Sequence, residues 1–192
     1  MPRPREYNRQ TVIERAGAVF HRKGFEATSM SDLVAATGLN TASMYKEFGS
    51  KEGLFEATLD NYRSNHIATL TKGMATSPGL QALLAYLENL KTYAQSTDFS
   101  GCLLMNNLAE ESIASEGTLQ RIDSLCHSLE SLFRNCLEKA KEAGDIPAAK
   151  DVDKLADYIL CIVHGITLYA RMENRQRNLD GIIDQVVDSI MD

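Results

Sequence analysis

Residues 29–51 read SMSDLVAATGLNTASMYKEFGSK, and the fold of the chain turns on this stretch. Met30, Leu33 and Val34 recur at helical spacing, Ala35 and Ala36 keep the segment slim, and Thr37-Gly38 supplies a helix stop. Past the glycine, Leu39 is placed to tuck under the turn. Asn40, a good N-cap residue, opens a second short helix through Phe48, with Met44, Tyr45 and Phe48 on its apolar side. Two short helices joined by a tight turn make the helix-turn-helix pattern, whose second helix lies in the major groove of DNA. The first turn of that helix faces base edges, while neighbouring hydroxyls and amides hold phosphates. Here it is Thr41, Ala42 and Ser43, small enough for the backbone to approach the bases closely.

Upstream, Val12, Ile13, Ala16, Val19 and Phe20 form an amphipathic stripe over residues 9–23, closed by Gly24, which predicts a helix packed across the pair. Phe25 is expected to plug the small core, Thr28 or Ser29 to cap the next helix, and His21 to lie on the wet side with Arg22 and Lys23. Residues 1–8 hold Pro2, Arg3, Pro4 and Arg5 and read as a solvated arm, either an ordinary terminus or a segment able to reach along DNA. Downstream, Ser50 is a natural N-cap for one long helix to about residue 72, a strut joining head and body. Ser77-Pro78 reads as the next N-cap and first-turn proline. Helix-period segments then cover about residues 80–95, 103–114, 119–143, 152–172 and 179–191, separated by STDFSG, SEG, AGDIPAAKD and ENRQRN. The fold class is all-α: a three-helix DNA-binding head (1–50, helix-turn-helix 29–48) and a body of about six helices (51–192).

The chain is 192 residues long and carries a net charge of −6, unevenly placed. Residues 1–52 hold eight Lys or Arg against six Asp or Glu, a net of +2, and the remainder twelve against twenty, a net of −8. A mildly basic head on an acidic body favours one docking orientation on phosphate. No apolar run is long enough for a membrane span and no signal region follows the first arginines, so a cytoplasmic location is expected. The four cysteines, 102, 126, 136 and 161, form no CxxC pair and read as reduced thiols.

The run from Gly24 onward, with GF, a Thr-Ser pair, the GLN turn, MY, KEF and SKEGLF, resembles the TetR family of bacterial one-component transcription regulators. The motif covers roughly the first third of the chain. Two positions depart from the family pattern: Asn40 replaces the usual Ser or Thr, and Glu47 stands where an aromatic or His often precedes the final Phe, putting a negative charge near the DNA face. The resemblance implies that Thr41, Ala42 and Ser43 face bases and that Thr28, Ser29, Tyr45, Lys46 and Lys51 meet phosphates. It implies double-stranded operator DNA and a small-molecule effector as partners, with induction rather than corepression. It also implies a homodimer joined through the last two helices, whose apolar faces are Leu155, Tyr158, Ile159, Ile162, Val163 and Ile166 on one and Ile182, Ile183, Val186, Val187 and Ile190 on the other. An effector would shift the spacing of the two heads through the helix after Ser50.

The body supplies a candidate effector lining: Tyr62, His66, Tyr86, Leu90, Tyr93, Cys102, Met105, His127, Cys161 and His164, with Phe99 and Phe133 in the same pattern. Cys161 and His164 have metal-ligand spacing but fall in the apolar stretch 158–169, where both types serve as core, so no metal site and no cofactor is assigned. Glu110-Glu111, adjacent on a helix, point apart and form no catalytic dyad. Asp98 or Ser100 would cap a helix with Cys102 in its first turn, where the dipole favours a thiolate. Some regulators resembling this chain, with a Gly-Cys pair there, sense oxidants or electrophiles. The alternative is an inert core thiol, and no cationic side chain stands nearby in sequence to activate it. No nucleophile motif or phosphate-cradling loop appears. The competing functional readings are an all-α enzyme or metal-binding bundle whose helix-turn-helix is only structural, and a pure interaction module. The small polar residues opening the second helix, which serve no packing need, favour the regulator.

Overall fold

The computed structural model describes residues 7–97, 99–108, 116–172 and 178–192, with the side chains of residues 107 and 108 left aside. All regular structure among them is helical. The first compact unit comprises residues 1–66 and 103–122. It opens with α1 (Arg9–Lys23), α2 (Met30–Thr37), α3 (Thr41–Phe48) and α4 (Lys51–Tyr62). Its later elements are α7 (Leu103–Leu108) and the start of α8 (Glu116–Ala143).

Local chemistry sets each boundary in the head. Asn8 Oδ1 accepts from the N–H groups of Gln10 and Thr11, at 2.9 and 3.3 Å, to start α1. His21, Arg22 and Lys23 suit the negative end of its dipole. Ser29 and Asp32 form a reciprocal capping box on α2, and Gly38 at φ 72° stops it in a left-handed conformation that glycine adopts without strain. Asn40 Oδ1 accepts from Ser43 N–H at 2.9 Å, and Ser50 Oγ from Gly53 N–H at 3.1 Å, opening α3 and α4. α4 can lie tightly against the end of α3 because residue 53 is glycine: a Cβ there would collide with the Phe48 carbonyl oxygen. The core is a ring cluster, Phe20 to Phe55 and Phe25 to Phe55 each 5.0 Å between centroids, with Leu33, Met44 and Leu54 fully buried around it.

The expected single helix from Ser50 to residue 72 is instead α4, a π-helical turn at Arg63–Ile67 and α5 (Ala68–Thr76), contiguous in sequence. The π turn inserts extra chain into the helical ladder, a feature that recurs at functional sites. Ser77 ends α5 and Gly79, without a side-chain cap, precedes α6 (Leu80–Ala94), so Ser77-Pro78 is not the cap the sequence suggests. Of the expected separator SEG, Glu116 and Gly117 lie instead in α8, whose first turn comes so close to α4 that a Cβ at Gly117 would meet Glu56 Oε1 at 2.7 Å, and Ser115 lies outside the described residues. Arg121 Nη1 and Nε reach Glu56 and Asp60 of α4 at 3.2 and 3.3 Å. The expected helix at 103–114 is seen for 103–108, and the rest, with Glu110-Glu111, lies outside the described residues, as do the arm before Tyr7 and Asp98. His21 is not on the wet side; its ring sits 5.9 Å from that of Tyr62 and its carbonyl accepts from Asn106.

The second compact unit comprises residues 67–102 and 123–192. In it α6 packs on α5, on α9 (Val152–Tyr169) and on α10 (Leu179–Met191). Leu83, Leu87, Phe133, Leu137, Ile159 and Ile190 are fully buried. Lys91 of α6 bridges Glu88 and Asp180 of α10 at 2.8 and 2.9 Å, and Arg134 of α8 reaches Asp153 of α9 at 2.6 Å. With α4, the π turn and α5, contiguous in sequence, counted once, the described residues hold three helices of the head and six more, as the hydrophobic periodicity predicts. A functional boundary at residue 50 differs from the compact units, because α4 shares the phenylalanine core of the head.

Candidate nucleic-acid interface

Thr41 and Ala42 are exposed and Ser43 half-exposed at the N-terminal turn of α3, where the dipole is positive and an anionic backbone is favoured. Met44, the next residue, is buried beneath them. The helix is thus seated by one apolar side chain and presents its small polar turn outward. Tyr45 is 46% exposed, and Lys46 beside it is exposed. Ser29 is exposed at the start of α2, with its Oγ accepting from Asp32 N–H at 3.2 Å. Lys51 is half-buried: its Nζ lies 4.4 Å from the Phe25 ring centroid and 3.5 Å from the Glu26 carbonyl, so its stem packs while its charge stays at the rim.

Thr28 does not belong on this surface. It is 1% exposed and its hydroxyl donates to the Gly24 carbonyl at 2.6 Å, so it closes the turn after α1 instead of meeting phosphate. Sequence reading also missed what Glu47 does. Its side chain is 10% exposed and accepts from Tyr7 Oη at 2.7 Å and Arg9 Nε at 3.0 Å, while the Arg9 guanidinium lies 5.1 Å from the Phe48 ring centroid. The signal was the departure itself, a carboxylate in the last turn of a helix, where the dipole disfavours it. Asp32 is held well below the usual carboxylate range, first by Lys23 Nζ at 2.6 Å and then by Ser29, which locks the entry to α2.

The expected effector residues do not all converge. In the first unit Tyr62 and His66 stack at 4.7 Å, joined by His21; burial, then the His21 charge, pushes His66 below its ordinary value. Met105 is half-buried on α7. In the second unit Tyr86 is buried against Phe133 at 5.3 Å, Tyr93 stands edge-on to Phe99 at 5.1 Å, and Leu90 is core. Cys102, half-exposed and just before α7 rather than inside it, interacts electrostatically with Tyr86, Tyr93 and Cys126. Two expected lining residues are misplaced: His127 is exposed, its Nδ1 3.0 Å from the Asp123 carbonyl, and Cys161 is exposed on α9. His164, three residues on, is half-buried, and burial lowers its pKa.

The apolar residues of the last two helices divide between two jobs. Ile159, Val163, Ile166, Ile183, Val186 and Ile190 are buried in the unit's own core. Leu155, Tyr158, Ile162, Ile182 and Val187 remain half-exposed. A groove of about 450 Å³ runs along the outer side, lined by Tyr158, Ile162, Tyr169, Asn178, Gly181, Ile182 and Gln185, and Leu168 is exposed on the same helix. Among the described residues no helix is long and apolar enough to cross a membrane.

Comparison with known proteins agrees with this geometry. Residues 12–58 match the family described as "Bacterial regulatory proteins, tetR family", and residues 79–186 match "Tetracyclin repressor-like, C-terminal domain". The chain is 32% identical over 174 residues to the HTH-type transcriptional repressor ComR of Escherichia coli (strain K12), covering 88% of this chain and 82% of ComR. It is 24% identical over 185 residues to the HTH-type transcriptional repressor DhaR of Mycobacterium sp. (strain GP1), covering 95% and 92%. A cysteine-substituted form of the TetR family transcriptional regulator CifR, solved with 26-bp double-strand operator DNA, superposes with a TM-score of 0.87 at 25% identity over 98% of this chain and 99% of that one. The reduced form of E. coli NemR has the same fold, with a TM-score of 0.84 at 21% identity over 94% and 95%. With the helix-turn-helix head and the C-terminal bundle both matched, the chain belongs to the TetR family of bacterial regulatory proteins: it is a helix-turn-helix transcriptional repressor, not an enzyme.

Proposed function

We propose that the chain acts in the cytoplasm as a homodimer that places two copies of α3 in successive major grooves of a palindromic operator. The observation that carries this reading is the first turn of α3, where Thr41, Ala42 and Ser43 face outward over a buried Met44 and serve no packing purpose. A two-fold axis through the outer groove of α9 and α10 would cover Tyr158, Ile162 and Ile182 and present both heads to one face of the duplex. The head, residues 1–50, together with Lys51 at the start of α4, supplies the DNA contacts, and the remainder binds the effector and the second copy. Release follows from an effector that prefers a body conformation in which the two heads are wrongly spaced.

The effector reading rests on Tyr86, Tyr93, Phe99 and Phe133 beside Cys102 in the second unit. Aromatic rings with a half-exposed thiol suit a small, largely apolar molecule or a thiol-reactive electrophile. Binding of a duplex selected by the full chain from a random-sequence pool tests the DNA reading. Ser43→Ala should change which bases are preferred, whereas Lys46→Ala should weaken all sequences alike. Unchanged affinity and preference in both folded variants would remove α3 from the interface.

A further inference from the structure

Glu56 and Asp60 stand four residues apart on α4, where two like charges on one helix face repel each other. Gly117, a poor helix former, lies in the first turn of α8. Neither choice suits its own element, and one contact between the two elements accounts for both. The Arg121 guanidinium is shared by the two carboxylates, with Nη1 3.2 Å from Glu56 Oε2 and Nε 3.3 Å from Asp60 Oδ1. Nη1 also donates to the Gly117 carbonyl at 3.0 Å, which fixes the fork in place. Room for it exists because residue 117 has no side chain: a Cβ there would meet Glu56 Oε1 at 2.7 Å and Arg121 Nη1 at 3.3 Å. All four residues lie within the first compact unit.

The place of this contact on α4 gives it leverage over the head. Leu54, Phe55 and Leu59 of α4 are buried, Phe55 in the ring cluster with Phe20 and Phe25, and Lys51 opens the same helix. α4 is thus held by its apolar face in the head's core and by its acidic face at Arg121. Of α8, residues 116–122 belong to the first unit and residues 123–143 to the second, where Phe133 packs on Tyr86 of the proposed effector lining. We propose that Arg121 is the positioning residue through which the state of the body reaches the head. A displacement of α8 draws Glu56 and Asp60 with it and so moves α4, and operator binding at the head is felt along α8 in return. Arg121 itself touches no DNA. This inference rests on the operator-binding reading above and assigns its regulation to one contact.

Because coupling is reciprocal, DNA can serve as the probe in place of the effector. Amide hydrogen exchange is measured on the full chain, free and saturated with a duplex that the full chain selects from a random pool. In the unaltered chain the duplex should slow exchange in α3 and α4, and also in residues 123–143 of α8, there by roughly fivefold, the low end of ordinary coupling. In Arg121→Ala, and in the double variant Glu56→Gln with Asp60→Asn, the slowing should persist in α3 and α4 and vanish from residues 123–143. Gly117→Ala is the variant least able to harm the fold, since its Cβ meets the far end of a flexible side chain. It should turn the Glu56 carboxylate away from Arg121 and reduce the slowing in α8. The slope of log affinity against log salt should be the same for the unaltered chain and Arg121→Ala, because no phosphate contact is lost. A merely structural ion pair would lower the unfolding midpoint of the variants and leave the duplex-linked slowing in α8 intact, and that result overturns the proposal. So does a lower salt slope for Arg121→Ala. If the full chain enriches a duplex that leaves α8 exchange unchanged, the coupling proposal alone falls; if it enriches none, the operator reading falls with it.

Discussion

Replacing Lys51 by alanine should produce two separable losses if it has both the partner seen in the fold and the phosphate proposed for it. Its Nζ lies 4.4 Å from the Phe25 ring centroid in the head's core cluster, and the side chain is half-exposed. A cation over an aromatic ring at a half-exposed site contributes about 0.5–1 kcal/mol. For a chain of this size that lowers the unfolding midpoint by roughly 1–4 °C. Each neutralised phosphate contributes about 0.9 to the salt slope, so a dimer losing two should show a slope lower by about 1.8. Between about 50 and about 200 mM salt, the loss of affinity would therefore be roughly twelvefold smaller than for the unaltered chain. Lys51→Arg should restore both quantities, since guanidinium stacks on rings and binds phosphate. Fluorescence anisotropy over a salt series reads the slope and thermal unfolding reads the midpoint. A folded Lys51→Ala protein with an unchanged slope would refute the phosphate contact and leave Lys51 as a lid on Phe25.

Further outcomes follow from particular residues. Gly53→Ala should destabilise the head by more than the gain alanine usually brings to a helix, since its Cβ would collide with the Phe48 carbonyl, and thermal unfolding should show a lower midpoint, not a higher one. His66 has a folded pKa below its ordinary 6.5, so the unfolded chain takes up the proton first; its contribution is intact above about pH 6.5 and stability declines as the pH falls below it. His66→Phe should flatten that decline in chemical denaturation run at about pH 7.5 and pH 5.5, and an undiminished decline would place the acid sensitivity elsewhere. Ile162→Asp, on the rim of the α9 and α10 groove and outside the buried core, should shift sedimentation toward the monomer at micromolar concentration without a large loss of helicity. Phe133→Ala, wholly buried against Tyr86, should cost about 3–5 kcal/mol, read as a shift in denaturant midpoint.

The head was legible because its boundaries are written locally. Asn8, Ser29, Asn40 and Ser50 cap within three residues of themselves, and Gly24, Gly38 and Gly49 stop helices by their own conformation. What escaped the sequence depends on distant partners. Thr28 looks like a surface hydroxyl until the loop folds it onto Gly24. Glu47 looks like an awkward charge until Tyr7 and Arg9 arrive from the start of the chain. The π turn at Arg63–Ile67 has no proline or glycine to mark it, and Gly117 reads as a breaker although it sits inside a helix pressed against Glu56. In the body, periodicity identifies helices but leaves the partner of each face open. It therefore grouped His127 and Cys161, which are exposed, with Tyr86, which is core. For the same reason it merged the buried and half-exposed halves of α9 and α10 into one dimer face.

On the proposed function, α3 reads DNA sequence in a two-fold assembly. The most direct measurement is selection of duplexes by the full chain from a random pool, followed by sedimentation of the chain with the enriched duplex. The expected result is an inverted repeat whose half-site centres are about one helical turn, or a multiple of it, apart, bound by an even number of chains and altered in base preference by Ser43→Ala. A pool that emerges without a consensus, or a consensus without symmetry bound by single chains, would contradict it.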